Sequence, residues 1–301
     1  MLSSGPERPR SEGELDILIV GALTIDRFPD GTTAPGGSVL HSARASARAG
    51  ASVGVVMAAG PEPEALEALR ELRAIGQVEV ADVPATLLFH HDERDGVRRL
   101  SLEGGVRLRP DPSRLRRLRP RAVLLAPVAG ELDAAALATI DEAVEARVRV
   151  AALQGWLRTR LADGRIVPLA PDDVPHEVLA RLRNCDVVVG SHQDLGLSDR
   201  DPSAPAVADL RRLLPGAGVL LTWGAAGYVR AEPEDKDPVV VRRRTAIAGV
   251  PTVGAGDAFA AVLAIEFDRG ASLAIAARKA DAAVSRWLGR QAGASRHNLD
   301  G

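Results

Sequence analysis

The chain has 301 residues, 46% of them hydrophobic and 26% charged, with a formal net charge of -2; that is enough apolar material for one substantial core, but no broad positive field for gripping nucleic acid. Its one cysteine, Cys185, excludes an internal disulfide, a zinc knuckle or a dithiol redox pair and fits a reducing cytoplasm. No run of about 18 apolar residues occurs, because Arg and Asp interrupt even the Ala-rich C-terminal stretches; no membrane span is expected, and a small molecule is the remaining class of partner.

Residues 1–14 are rich in Ser, Pro, Glu, Arg and Gly, lack the apolar centre of a secretory signal, and read as a disordered tail. Asp16 to Gly21 is a short, continuous apolar run of the kind that forms a strand buried on both faces of a parallel sheet. Similar runs recur at Ser52–Ala58, Ala122–Ala126, Val148–Leu153, Asp186–Val189 and Gly218–Thr222. Between them lie segments with helical spacing: Val39–Ala49, closed by Gly50, Glu62–Ile75, closed by Gly76, Leu132–Ala146 and Ala208–Leu214. Strand and helix alternate, which is the mark of an α/β fold. Thr86–His91 and Val97–Leu102 interrupt the alternation as two strands around an Asp95-Gly96 turn, a small hairpin able to cover a site. One domain over 15–289 is expected, followed by a C-terminal tail over 290–301.

The chain has only two lysines, Lys236 and Lys279, and neither follows a glycine-rich loop. A Walker A loop and a protein kinase both need a lysine at a fixed place, so any phosphate cradle here must use backbone amides and arginine. The stretch suited to one is Gly249-Val250-Pro251-Thr252-Val253-Gly254-Ala255-Gly256-Asp257-Ala258-Phe259, where a glycine-rich turn runs straight into an apolar helix. The first-turn N–H groups of a helix have no intrahelical acceptor, and the positive end of the dipole lies behind them. Asp257 beside such an anion site either caps the helix or accepts a proton from an attacking hydroxyl.

Gly254-Ala255-Gly256-Asp257 closely resembles the C-terminal signature of the ribokinase-like (PfkB) family of small-molecule kinases. That resemblance implies that Asp257 is the catalytic base and that Gly254, Ala255 and Gly256 form the anion hole. It extends in the expected order over about Asp16 to Gly289. Gly21-Ala22-Leu23-Thr24-Ile25-Asp26 resembles the first strand and its substrate-binding aspartate, and Gly36-Gly37 resembles the substrate-side glycine pair. His41 stands where a substrate-binding asparagine is common. Asn184 to Asp194 is similar to the strand ending in Asn-x-x-Glu near magnesium; here Ser191 and Asp194 replace that pair, and Asp194 would act on the metal through water. Leu221-Thr222-Trp223-Gly224-Ala225-Ala226-Gly227 resembles the turn lying along ATP, which makes Thr222, Gly224 and Gly227 nucleotide contacts.

The implied fold is a three-layer α/β/α sandwich with a mostly parallel sheet and a reduced β lid, the nine residues from Arg27 to Pro35 being too few for the strand pair that many relatives insert. The implied activity is transfer of the terminal phosphoryl group of ATP, with magnesium, to an alcohol group of a sugar, polyol, inositol or nucleoside. Pro251 replaces the aspartate of a monovalent-cation site, which leaves potassium dependence doubtful. A reduced lid leaves monomer or homodimer open. Pro127-Val128-Ala129-Gly130-Glu131 and Leu153-Gln154-Gly155-Trp156-Leu157-Arg158 lean toward the inositol-kinase-like branch. The alternative reading is a catalytically silent sugar- or nucleotide-binding regulator of the same fold. A dinucleotide oxidoreductase lacks the Gly-x-Gly-x-x-Gly it needs after the first strand.

Overall fold

The computed structural model describes residues 13–94, 97–197, 201–243 and 252–297. In chain order the elements are β1 (Glu14–Ala22), β2 (Thr24–Arg27), β3 (Thr33–Gly36), α1 (Ser38–Arg48), β4 (Val53–Ala59), α2 (Pro63–Ile75), β5 (Gly76–Asp82), β6 (Leu87–Arg94) and β7 (Val97–Glu103). There follow α3 (Pro112–Leu115), β8 (Arg119–Ala126), α4 (Ala134–Ala143), β9 (Val148–Ala152), β10 (Arg158–Arg160), β11 (Ile166–Pro168), α5 (His176–Leu182), β12 (Val187–Ser191) and α6 (Ala204–Leu213). The chain closes with β13 (Gly218–Thr222), β14 (Gly227–Ala231), β15 (Val239–Arg242), α7 (Ala255–Asp268) and α8 (Leu273–His297).

A nine-stranded sheet in the order β15-β14-β13-β12-β9-β8-β1-β4-β5 forms the middle layer. Every pairing from β5 across to β13 is parallel, and only β14 and β15 run as an antiparallel meander at one edge. The apolar runs are continuous because both faces are covered. In β1, Leu18 and Val20 join one core with Leu137 and Ile140 of α4 and Leu182 of α5. Ile17 and Ile19 join the opposite core with Val39 and Leu40 of α1, Leu72 of α2 and Phe259 and Leu263 of α7. Period-two alternation in the strands thus splits the apolar residues between two helical layers. Helix α7 is buried from Ala258 to Glu266, which locks its N-terminal turn to the body. No helix among the described residues is long and apolar enough to cross a membrane.

A second sheet, in the order β3-β2-β6-β7, grows from the carboxyl end of β1 through Leu23. Leu87, Phe89 and Leu102 anchor it to the main core. This lid differs from expectation in one respect. A short strand pair does form across the stretch from Arg27 to Pro35, with Thr24–Arg27 of β2 against Thr33–Gly36 of β3, Arg27 opposite Thr33, and a turn held by Phe28 N–H donating to Thr32 O at 2.9 Å. Four residues per strand are enough because β6 supports β2 from its other side. The expected hairpin over 86–102 is present as β6 and β7, in antiparallel register, while its Asp95-Gly96 turn lies outside the described residues.

Two other boundaries shift. Gly50 ends α1 with φ of +74°, as a glycine stop should, but Gly76 is extended at φ -174° and opens β5. The last helix passes the expected boundary at Gly289 and continues to His297.

Candidate active site

Ligands of parallel sheets bind beyond the carboxyl ends of the strands, where the strand order reverses. Here β1 lies between β4 and β8, and the chain leaving β1 faces the loop after β8. Glu131 ties those two segments together. Its fully buried carboxylate accepts from Ala22 N–H at 3.0 Å, Val128 N–H at 3.0 Å and Ala129 N–H at 2.9 Å. Burial pushes its pKa up, against the pull of those three donors. Pro127 to Glu131 is therefore a brace at the floor of the crevice, a role that branch likeness alone does not convey.

Asp26 projects from β2 just above this brace. Its side chain is 11% exposed; Thr24 Oγ donates to Oδ1 at 3.1 Å, and His91 Nε2 lies 3.5 Å from Oδ2. Gly36, antiparallel to Thr24 on β3, passes so close that a Cβ there would sit 2.5 Å from Asp26 Oδ2. Gly36 is thus required by the carboxylate it faces, whereas Gly37, at φ +95° and against the Ala22 and Thr24 backbone, turns the chain into α1. The structure places Gly36 against Asp26, with Gly37 next in the chain. It adds His91, which sequence reasoning missed because only the strand register shows it: β6 runs parallel to β2 with Asp26 opposite Phe89, and His91 lies two residues on, on the same face.

The turn before α7 meets α1. Gly254 is the N-cap residue in left-handed conformation, φ +79° and ψ 0°, and a Cβ on it would lie 2.5 Å from the His41 ring. His41 Nε2 is buried without a hydrogen-bond partner, and Ser42 Oγ donates to Asp257 O at 3.3 Å. His41, in the first turn of α1 after the Gly36-Gly37 pair, therefore lies against the anion turn. Asp257 is not the helix cap: Gly254 holds that position, and Asp257 sits in the first turn. Among the described residues nothing hydrogen-bonds its partly exposed carboxylate. The amides divide unevenly. Ala255 N–H donates to Thr252 O at 3.0 Å and Ala258 N–H to Gly254 O at 2.9 Å, leaving Gly256 and Asp257 N–H without a backbone acceptor among the described residues. Of the three residues expected to form the anion hole, Ala255 already has its N–H engaged.

The far wall is built by β12 and β13, whose ends Ser191 and Thr222 are paired in register. Thr222 Oγ donates to Gly190 O at 3.3 Å, and His192, buried and stacked on Trp223 at 5.7 Å, places Nδ1 3.2 Å from Thr222 O. Gly224 has open space at its Cβ position and φ of +52°, whereas Gly227 is glycine for a packing reason, since a Cβ there would collide with Val241 O.

Asp194 departs most from expectation. Its side chain is 3% exposed; Oδ2 accepts from Ser191 N–H at 2.9 Å and from Ser191 Oγ at 2.8 Å, and Oδ1 pairs with Arg158 at 2.9 Å. It makes a capping box and anchors a guanidinium. No group of three His, Cys, Asp or Glu that could hold a metal ion occurs among the described residues, and both Asp194 oxygens are engaged by Ser191 and Arg158. Arg158, at the start of β10 shortly after β9, is the cation that Asp194 holds. Pro251, the basis for doubting a monovalent cation, lies outside the described residues.

The family model described as pfkB family carbohydrate kinase matches residues 22–296. No curated protein matches the chain in sequence. Among solved structures, a pyrophosphate-dependent kinase in the ribokinase family, complexed with a pyrophosphate analog and myo-inositol, is 20% identical with a TM-score of 0.69, over 88% of this chain and 92% of that one. A pyrophosphate-dependent myo-inositol-1 kinase converted into a myo-inositol-3 kinase is 18% identical with a TM-score of 0.69, over 89% of this chain and 91% of that one. Arabidopsis thaliana ribokinase complexed with ribose and ATP is 20% identical with a TM-score of 0.67, over 90% of this chain and 92% of that one. These likenesses establish the ribokinase-like fold, and the family match spans the Asp26 pocket, the α7 turn and everything between them: the chain belongs to the pfkB family of carbohydrate kinases.

Proposed function

We propose that the protein transfers the terminal phosphoryl group of ATP to a hydroxyl of a small sugar, polyol, inositol or nucleoside. The observation that carries this reading is the start of α7. A carboxylate that no donor among the described residues hydrogen-bonds, Asp257, lies beside the unpaired N–H groups of Gly256 and of Asp257 itself on a buried helix, against an α1 that begins just after the glycine pair beside Asp26. In the proposed step, Asp26 orients the acceptor and Asp257 takes the proton of the attacking hydroxyl. The acceptor oxygen bonds to the terminal phosphorus as the bond to the bridging oxygen breaks, and ADP leaves. Charge gathered on the phosphoryl oxygens is met by Gly256 and Asp257 N–H and by the helix dipole. Arg158, held by Asp194, is the cation suited to the donor phosphates.

A second donor has support. The first two structural relatives are pyrophosphate-dependent, and a cradle of amides and arginine serves pyrophosphate as well as ATP. One experiment covers both donors and the non-catalytic alternative: purified protein with ATP or pyrophosphate and magnesium, screened against pentoses, hexoses, inositols and nucleosides. The expected result is ADP or phosphate release that depends on an added acceptor. Tight binding of an acceptor with no turnover on either donor would select the silent regulator instead.

A further inference from the structure

A phosphoryl group in transfer spreads its charge over three equatorial oxygens, but Ala255 N–H is already bonded to Thr252 O at 3.0 Å, which leaves the start of α7 only Gly256 and Asp257 N–H to meet them. The side chain packed on this turn is His41. Its Cγ and Nδ1 would each lie 2.5 Å from a Cβ on Gly254, and the next residue, Ser42, sets the register of α1 on α7 by donating to Asp257 O at 3.3 Å. The imidazole is half-buried. Nε2 is sealed from water without a partner, and among the described residues nothing hydrogen-bonds Nδ1. The carboxylate that α2 brings near the ring, Glu71, is taken through both oxygens by Arg44, at 2.7 and 2.6 Å, so His41 has no ion-pair role there. A neutral imidazole carries one N–H and one lone pair. A proton on Nε2 would be a donor shut away from every acceptor, which is costly; the favoured tautomer carries it on Nδ1, the nitrogen against the turn.

We propose that His41 is a catalytic residue of the phosphoryl transfer, its Nδ1–H serving as the third donor of the anion hole beside Gly256 and Asp257 N–H. The ring keeps its proton throughout: Asp257 remains the base, and no bond to the imidazole forms or breaks. This rests on the reading of the α7 turn as the phosphoryl site. It moves His41 from the acceptor contact that the resemblance implies to the transferred group itself.

The test uses the full chain with the best donor and acceptor from the screen. His41→Leu, which fills the space without a donor, should lower kcat by about 10²–10³-fold, the effect of deleting one oxyanion donor, while the acceptor KM stays within about threefold, as for an interaction made only in the transition state. His41→Asn, whose amide N–H can stand where Nδ1–H stands, should recover most of that loss, and circular dichroism should show both variants folded. A kcat unchanged in the leucine variant overturns the proposal. So does a raised acceptor KM with kcat kept, which marks an acceptor contact, and so does an equal fall in kcat for the leucine and asparagine variants, which marks a packing role. No acceptor-dependent turnover by the wild type, or Asp257→Asn leaving kcat unchanged, removes the underlying reading of the α7 turn, and that failure is visible before any His41 variant is made.

Discussion

His41 and Gly254 form the tightest joint between the two halves of the crevice, since a Cβ on Gly254 would lie 2.5 Å from the imidazole and the backbone there has φ of +79°. Gly254→Ala should cost about 1–2 kcal/mol for the left-handed backbone alone, with a further penalty from the ring contact. Pairing it with His41→Ala separates the two terms, because the double variant keeps the backbone strain and loses the collision. Thermal unfolding of the two single variants and the double should show clear non-additivity, the double being more stable than the sum predicts. Simple additivity would mean that the ring moves aside freely and does not define the turn. Asp26 and Asp257 were legible in the sequence because each lies in a motif with a glycine partner. His91 was not, since no local spacing connects residue 26 with residue 91. Asp194 was legible as a position but not in its bonding, because Arg158 reaches it from 36 residues away.

Among the elements, the brace after β8 governs how β1 and β8 part to open the crevice. Glu131 receives three backbone N–H groups, a task suited to an atom set that only accepts. Glu131→Gln turns one of those oxygens into a donor facing an N–H, and should destabilise the protein by about 1–3 kcal/mol. Its pH signature has a definite sign. The folded pKa is raised from the ordinary 4.5 by burial, so the folded state holds this proton more strongly than the unfolded one. The stability this group contributes is complete below about pH 4.5 and is lost as pH rises through the folded value. The advantage of wild type over Glu131→Gln, read as a difference in melting temperature, should therefore shrink from acid toward neutral pH. A gap that widens would show that the three amides outweigh burial. The lid shows the limit of local reading at this scale: four residues on each side of a turn look too few for a stable pair, and β2 and β3 hold because β6 and the core residues Leu87 and Phe89 support them.

Across the whole molecule, the parallel sheet was legible because β1, β4, β8, β9, β12 and β13 are continuous apolar runs, and burial on both faces leaves no other pattern. The edge strands were harder. In β5 and β15 exposed and half-buried residues mix, since an edge has one neighbour and its register comes from β4 or β14 rather than from its own alternation. What joins these elements into a catalyst is the meeting of α1 and α7 at the carboxyl end of the sheet, and the account depends on Asp257 acting there as a base. The most direct measurement is steady-state turnover of Asp257→Asn with the acceptor found by screening, alongside donor affinity and melting temperature. The predicted result is a fall in kcat of about 10²–10⁴-fold with donor binding and stability essentially unchanged; a kcat within a few-fold of wild type would contradict the account.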